Sequence, residues 1–262
     1  MIERLRIVFT ELYARRSVLY QLVWQQMILR YRRTALGYLW TLINPLLMMS
    51  VMVVVFATLF KVGLRDFAVF LVAGMIPWNC FNAIVTQSGS SFINNENLIK
   101  KIYLPKIIFP LSVSSGFFID SMLSFCVLFA LLAAFGRGMS LAVFFIPIAY
   151  LLLFLFAFGI GLITSVATVF VRDLQQMILI AMQGLFFLTP ILYRHETLTG
   201  KIGWLVGLNP IAPFIELFRL PLYLATWPSP LLIAKAASIS LVAISLGLAV
   251  LLWQEKKIVY RL

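Results

Sequence analysis

Leu36–Phe60, LGYLWTLINPLLMMSVMVVVFATLF, carries no formal charge along its whole length. A helix needs about 20 apolar residues to cross the hydrocarbon core of a bilayer, so this stretch is long enough to span. Immediately before it stand Arg30, Arg32 and Arg33. An uncharged run with a basic collar predicts a membrane helix whose N-terminal side stays in the cytoplasm, because Lys and Arg are retained there.

Composition carries the same reading to the rest of the chain. Hydrophobic residues make up 63% and charged residues 11%, against about 25% charged in soluble domains. The mean hydropathy is +1.02, so lipid must solvate surface that a soluble core of this size cannot hide. The net charge of +12 would point to nucleic acid in a soluble protein. Here the excess sits beside apolar runs, where it sets topology and meets anionic headgroups, so membrane lipids and no nucleic acid are expected as partners. Met1–Arg33 shows no uninterrupted apolar core and no small-residue cleavage site, so a cleavable signal peptide is not expected. Cys80 and Cys126 fall inside apolar runs and read as small core hydrophobes rather than a disulfide. His195 is the sole histidine, which argues against a metal site.

Six spans are predicted: Leu36–Phe60, Phe67–Thr86, Ile107–Phe135, Leu141–Phe170, Leu174–Tyr193 and Leu231–Trp253. Apolar runs of this length satisfy their backbone internally only as helices, so the fold class is an all-α polytopic membrane protein. Most of the 21 Lys and Arg residues fall before the first span, after the second and fourth, and at the chain end. That bias places both termini inside.

Three segments do not span. Met1–Arg33, the core of an N-terminal unit over residues 1–35, puts Leu5, Phe9, Leu12 and Tyr13 on one helical face. Leu19, Leu22, Val23 and Met27 do the same further on. It reads as an amphipathic helix, or two, along the cytoplasmic interface, serving either as an anchor or in partner docking. The remainder, residues 36–262, is the six-span domain. Within it, Ser91–Lys106, SFINNENLIKKIYLPK, places Leu98, Ile99 and Ile102 on one face of a short helix that Pro105 stops. An apolar stripe flanked by Glu96, Lys100 and Lys101 suits either a protein groove or a turn resting on headgroups. In Arg194–Pro230, the apolar pieces Ile202–Leu208 and Ile211–Leu224 are too short to span and are punctuated by proline. Two short re-entrant helices are expected, shaping a pathway or capping the outer face.

Motifs for catalysis are missing. No G-x-x-x-x-G-K-[ST] occurs: Gly200-Lys201 lacks both the upstream glycine and the following hydroxyl, so no ATP site of this type is expected. H-E-x-x-H, C-x-x-C and G-x-S-x-G are absent too, and an enzyme is not expected. Asp120 is the only acid deep in an apolar run. It either faces a watery path or is capped by hydroxyls such as Ser121 and Ser124, with pairing the favoured reading. Gln87, Gln175, Gln176 and Gln183 are expected to bond between helices. Trp40, Trp78, Phe81 and Tyr103, near span ends or kinks, serve as lipid-belt anchors or as flat faces along which sugars slide.

Four stretches together are similar to the transmembrane subunits of type-2 ABC exporters, in the polysaccharide branch that includes O-antigen, capsule and teichoic acid permeases. They are RYRRTALGYLWTLINPL (Arg30–Leu46), INNENLIKKIYLPKIIFPLS (Ile93–Ser112), VRDLQQMILIAMQGLFFLTPILY (Val171–Tyr193) and LNPIAPFIELFR (Leu208–Arg219). Leu104-Pro105 departs from the aromatic–proline pair of many relatives. The resemblance covers nearly the whole chain and implies a homodimer in the bacterial inner membrane, paired with two copies of a separate P-loop ATPase. ATP and Mg would sit on that partner, with no cofactor in this chain.

The implied cargo is an undecaprenyl-diphosphate-linked polysaccharide, with O-antigen foremost. Asn95, Glu96, Leu98, Ile99, Lys100, Lys101, Ile102 and Tyr103 then resemble the helix coupled to the ATPase, and Arg172 and Asp173 the turn between spans four and five. Asn209, Pro210, Glu216 and Arg219 resemble the external gate, where Glu216 and Arg219 stand close enough on one helix to pair. Arg30, Arg32 and Arg33, beside Trp40, Trp78, Phe81 and Tyr103, are candidates for the substrate path, the arginines meeting the diphosphate or serving only topology. The alternatives are a related permease for a lipid or drug, or a stand-alone secondary transporter. The latter would favour inverted repeats and several buried charges, which are not seen. A membrane-bound transferase would want a cluster of catalytic carboxylates or histidines.

Overall fold

The computed structural model describes residues 10–31, 34, 36–134, 140–193 and 200–262. Every regular element among them is helical. Arg16–Tyr31 (α1) precedes Trp40–Phe60 (α2), which is entered through a 3₁₀ turn at Gly37–Leu39. Leu64–Gly89 (α3) follows, then the short helices Ser91–Asn94 (α4) and Glu96–Lys101 (α5). Ile108–Ala134 (α6), Ile146–Phe170 (α7) and Leu174–Leu188 (α8) come next. Gly200–Gly207 (α9), Ala212–Arg219 (α10) and Pro230–Arg261 (α11) complete the chain.

Among the described residues, five helical segments are long and apolar enough to cross a membrane: Gly37–Phe60, Leu64–Gly89, Ile108–Cys126, Leu141–Phe170 and Pro230–Arg261. The fifth expected span, Leu174–Tyr193, is shorter than its sequence run. Its helix stops at Leu188 because Pro190 cannot extend it and biases Thr189 out of the helical region. At 1.5 Å per residue α8 reaches only about 22 Å, against a hydrocarbon core of about 30 Å. The two short apolar pieces beyond it form α9 and α10, the second unwinding into a π turn at Leu220–Leu224 around Pro221.

Local chemistry sets the boundaries. Lys61 adopts a left-handed conformation (φ 54°) at the end of α2, and the amides of Lys61 and Val62 bond back to Thr58 and Ala57. This closes the helix and lets Gly63 start α3 directly. Ser229 caps α11 by accepting from the Leu232 amide at 3.3 Å, with Pro230 in the first turn where no amide is needed. Pro45 and Pro77 lie inside α2 and α3, as membrane helices permit where neighbours cover the freed carbonyls.

The central helix is α3, most of which is buried, packed by α2, α6, α7, α8 and α10. The closest seam joins α7 to α11. A Cβ on Gly247 would lie 2.4 Å from the Gly159 carbonyl oxygen, and one on Gly159 would lie 2.4 Å from the Ala243 backbone. Only glycine permits this approach, and close backbone contact is what holds helices together where lipid removes the hydrophobic drive. Polar ties add to it. Ser240 donates to the Leu152 carbonyl at 2.8 Å, Thr164 to Val85 at 3.2 Å and Gln175 to Thr86 at 2.9 Å. The expectation that Gln175 bonds between helices is met by the last of these.

Helix α1 docks along α6. Gln26 donates to Ser112 at 3.2 Å, and Leu22 is buried with Phe92, Ile99, Phe109 and Ile258. Leu12 and Leu19 pack there too, but Tyr13 is exposed and does not join their face. Leu22 near one end of the chain and Ile258 near the other therefore meet in one apolar cluster, which puts both ends of the described chain at the same end of the bundle.

Candidate functional site

At the end of the bundle that gathers both ends of the described chain, α5 stands outward on a buried root. A six-residue helix is too short to hold itself together, so its order comes from packing. Ile99 supplies it, buried against Phe92, Leu104 and Ile108. Glu96 in the first turn and Lys100 and Lys101 in the last complement the helix dipole. Lys100 also donates to Glu96 at 2.6 Å on the exposed face. Asn95 is tied to α4 through the Ser91 carbonyl at 2.8 Å. Ile102 and Tyr103 are exposed, Tyr103 at 71%, so Ile102 does not share the buried face of Ile99. The helix ends at Lys101 and the chain is already extended at Ile102, which turns that side chain away.

Charges from other elements converge on this corner. The Glu96 carboxyl is held below its usual range by the Lys100 bond and charge first, and by Arg172 as well. Arg172 and Asp173, exposed in the turn between α7 and α8, thus face the same side as α5. The Tyr103 hydroxyl is raised chiefly by the Glu11 carboxylate, and further by Glu255 of α11. Lys106 is buried behind Pro105, where it donates to the Leu104 carbonyl at 3.4 Å. Burial pushes its ammonium pKa down, and Glu255 works the other way.

The expected path residues do not form one group. Trp78 and Phe81 are buried in α3, Trp78 edge-on to Phe186 at 5.6 Å. Phe81 stacks on Phe156 at 5.1 Å, and Phe156 on Phe214 at 4.8 Å, making an aromatic column across α3, α7 and α10. Trp40 opens α2 and is 38% exposed. The side chain of Arg30, and Arg32 and Arg33 altogether, lie outside the described residues.

Asp120 is buried in α6, and the hydroxyl that reaches its carboxylate comes from Tyr38 in the turn before α2. Neither Ser121 nor Ser124 caps it: Ser121 pairs with Tyr150 at 3.2 Å, and Ser124 donates to the Asp120 main-chain carbonyl at 3.0 Å. The partner lies 82 residues away in sequence, which no local spacing could have revealed. A cavity of about 410 Å³ beside this pair, lined by Asn44, Asn79 and Asp120 with Met48, Met49 and Met75, separates α2 from α3 and α6.

At the opposite end, α10 is anchored to the break after α8. Asn209 donates to the Thr189 hydroxyl at 2.8 Å and the Leu188 carbonyl at 3.2 Å, and accepts from the Ile211 amide at 3.1 Å. Arg219 donates to the carbonyls of Pro190 and Ile191, the latter at 2.5 Å, with its guanidinium 3.8 Å over the Phe70 ring. Gly74 makes room: a Cβ there would lie 2.9 Å from that guanidinium. Glu216 points outward, and Arg219 turns to the carbonyls instead of pairing with it. Pro210 is exposed. A cavity of about 560 Å³ opens here, lined by Phe70, Glu216, Arg219, Tyr223 and Lys235.

Residues 17–223 match the family described as ABC-2 type transporter. The chain is 33% identical over 191 residues to an O-antigen export system permease protein, RfbA, of Klebsiella pneumoniae, covering 72% of this chain and 74% of that one. It is 29% identical over 235 residues to RfbA of Myxococcus xanthus, covering 88% and 90%. With the polysialic acid transport protein KpsM of Escherichia coli it shares 24% over 237 residues, covering 87% and 89%. A helical bundle with five membrane-length helices among the described residues, joined to this match over most of its length, makes the chain a member of the ABC-2 type transporter family.

Proposed function

We propose that this chain is the permease of an ATP-driven exporter that carries undecaprenyl-diphosphate-linked polysaccharide, O-antigen foremost, across the bacterial inner membrane. Two copies form the conduit and each is worked by one copy of a P-loop ATPase. Six crossings, with α8 completed by the chain around Pro190, put both termini in the cytoplasm. The observation that carries this reading is α5. It is a charged, outward-facing helix rooted by Ile99 in the cluster that joins α1, α6, α7 and α11, with Arg172 beside it. A push on such a helix from below is delivered to most of the bundle at once. Asn95–Tyr103 with Arg172 and Asp173 receive the ATPase. The Asn209, Pro210, Glu216 and Arg219 region gates the outer side. Arg30, Arg32 and Arg33 receive the diphosphate, and Trp40, Trp78, Phe81 and Tyr103 border the sugar's route.

The relatives named for O-antigen export and polysialic acid transport support this cargo class. The test is to co-express the permease with a P-loop ATPase from the same organism's exporter of this class, purify the complex, and measure ATP hydrolysis in proteoliposomes with and without lipid-linked glycan. Co-purification and glycan-stimulated hydrolysis are expected. Glycan transport by the permease reconstituted alone would refute the proposal. Ile99→Gly with Ile102→Gly is expected to abolish coupling, and unchanged export would remove α5 from that role.

A further inference from the structure

The cavity of about 560 Å³ beside α10 holds charge of both signs: Glu216 and Arg219 of α10 and Lys235 of α11 all line it. Its depth in the membrane can be read from two helices. Lys235 lies in the second turn of α11, which starts at Pro230, and Phe70 on another wall lies in the second turn of α3, which starts at Leu64. At 1.5 Å per residue both place the cavity within about 10 Å of the helix ends, where lipid headgroups meet the hydrocarbon.

Each charge is presented differently. Lys235 stands between Ala234 and Ala236 on an apolar turn, and it is exposed. A lysine on such a helix is costly unless its ammonium reaches water or an anion. Glu216 is the exposed member of a helix that buries Pro213, Phe214, Ile215, Leu217 and Phe218. Glu216 and Lys235 face one cavity, yet among the described residues neither forms an ion pair. Arg219 donates to the Pro190 and Ile191 carbonyls and covers Phe70, so its contribution to the cavity is positive potential.

These charges select a ligand that is itself of both signs. A phosphate accepts from the Lys235 ammonium, and a primary ammonium donates to the Glu216 carboxylate. A phosphate without that ammonium would meet Glu216 as a like charge. Leu220, Leu224 and Leu232 line the same cavity, and Leu224 is 55% exposed, which gives attached acyl chains an apolar wall. We infer that this cavity holds the headgroup of a phospholipid carrying a primary ammonium, with its phosphate on Lys235 and its ammonium on Glu216. The lipid bridges α10 to α11 and braces the end of the bundle where Arg219 already ties α10 to the break after α8. The site does not depend on which cargo the protein exports.

The test is native mass spectrometry of the full-length protein in detergent, offered an equal mixture of phosphatidylethanolamine, phosphatidylglycerol and phosphatidylcholine with identical chains. The wild type is expected to retain phosphatidylethanolamine about fivefold over either of the others. Phosphatidylcholine is the stringent control, because it keeps both charges but has no N–H to give a carboxylate. Glu216→Gln should bring phosphatidylethanolamine and phosphatidylglycerol within about twofold of each other. Lys235→Met should weaken retention of phosphatidylethanolamine about tenfold, and Lys235→Arg should keep most of it. Equal retention of the three lipids by the wild type, or more phosphatidylglycerol than phosphatidylethanolamine, would overturn the site while leaving the export reading intact. A preference unaltered in both Glu216→Gln and Lys235→Met would overturn it too, since the lipid then sits elsewhere. Soluble phosphoethanolamine in equal amount should leave the lipid bound, and displacement by it would refute a lipid as the occupant.

Discussion

Arg219 holds the chain break after α8 against α10, and removing its donors should loosen that end of the bundle measurably. The change is Arg219→Met, which keeps most of the side-chain volume and deletes the guanidinium. Two bonds to the Pro190 and Ile191 carbonyls are lost, each worth about 1.5–3 kcal/mol for a charged donor. The stacking over Phe70 at 3.8 Å adds about 1 kcal/mol. Shared geometry makes these contributions less than additive, so a loss of about 3–6 kcal/mol is expected. For a chain of this length each kcal/mol moves Tm by roughly 2–4 °C, so Tm should fall by at least about 6 °C in detergent. Differential scanning fluorimetry on the tryptophans reads it directly. Arg219→Lys should fall in between, since an ammonium keeps the charge but not the planar fork that serves two carbonyls. A Tm for Arg219→Met within about 2 °C of wild type would refute the reasoning.

Four further outcomes follow from the packing and the charges. Gly247→Ala places a methyl 2.4 Å from the Gly159 carbonyl oxygen and should destabilise by about 1–3 kcal/mol. Gly184→Ala meets nothing within 4 Å and should leave the protein unchanged or slightly more stable in the same melting assay. Tyr38→Phe and Asp120→Asn should be coupled in a double-mutant cycle by about 1.5–3 kcal/mol, whereas additive effects would show that the bond between them contributes nothing. A carbon-13 titration of Glu96 should give a midpoint below the ordinary 4.5 that rises when Lys100 is replaced by Met. Since the shift is downward, the contact with Lys100 is present at neutral pH and lost as pH falls through that lowered midpoint.

Helix existence was legible wherever apolar runs were long and uninterrupted: Leu64–Gly89, Ile108–Ala134 and Pro230–Arg261 each start within about three residues of the predicted spans. The far end of α11 runs well beyond Trp253, because hydropathy marks the part that lipid can cover and not where helical backbone stops. Hydropathy also overstated α8, where the apolar character continues past Leu188 but Pro190 ends the helix. Partners across the bundle were not legible. That Asp120 meets Tyr38 and Arg219 meets Pro190 depends on which helices adjoin, and one chain's local spacing carries no record of that. The sequence did hold a hint at Arg219: the turn Thr189-Pro190-Ile191 needs its carbonyls satisfied, and a half-buried arginine on an apolar helix supplies two donors.

The glycine seam between α7 and α11 has a mechanical corollary. Backbones in such tight contact can neither roll nor slide past each other without prising apart, so those two helices form a single strut. By contrast α2 buries only Thr41, Met49, Val53 and Ala57, and α8 only Met182. Both lean on α3 from outside, like planks resting on a post. Displacements that open the bundle will therefore be cheapest at α2 and α8, and a spectroscopic label pair reporting on them should move while a pair across the strut stays still.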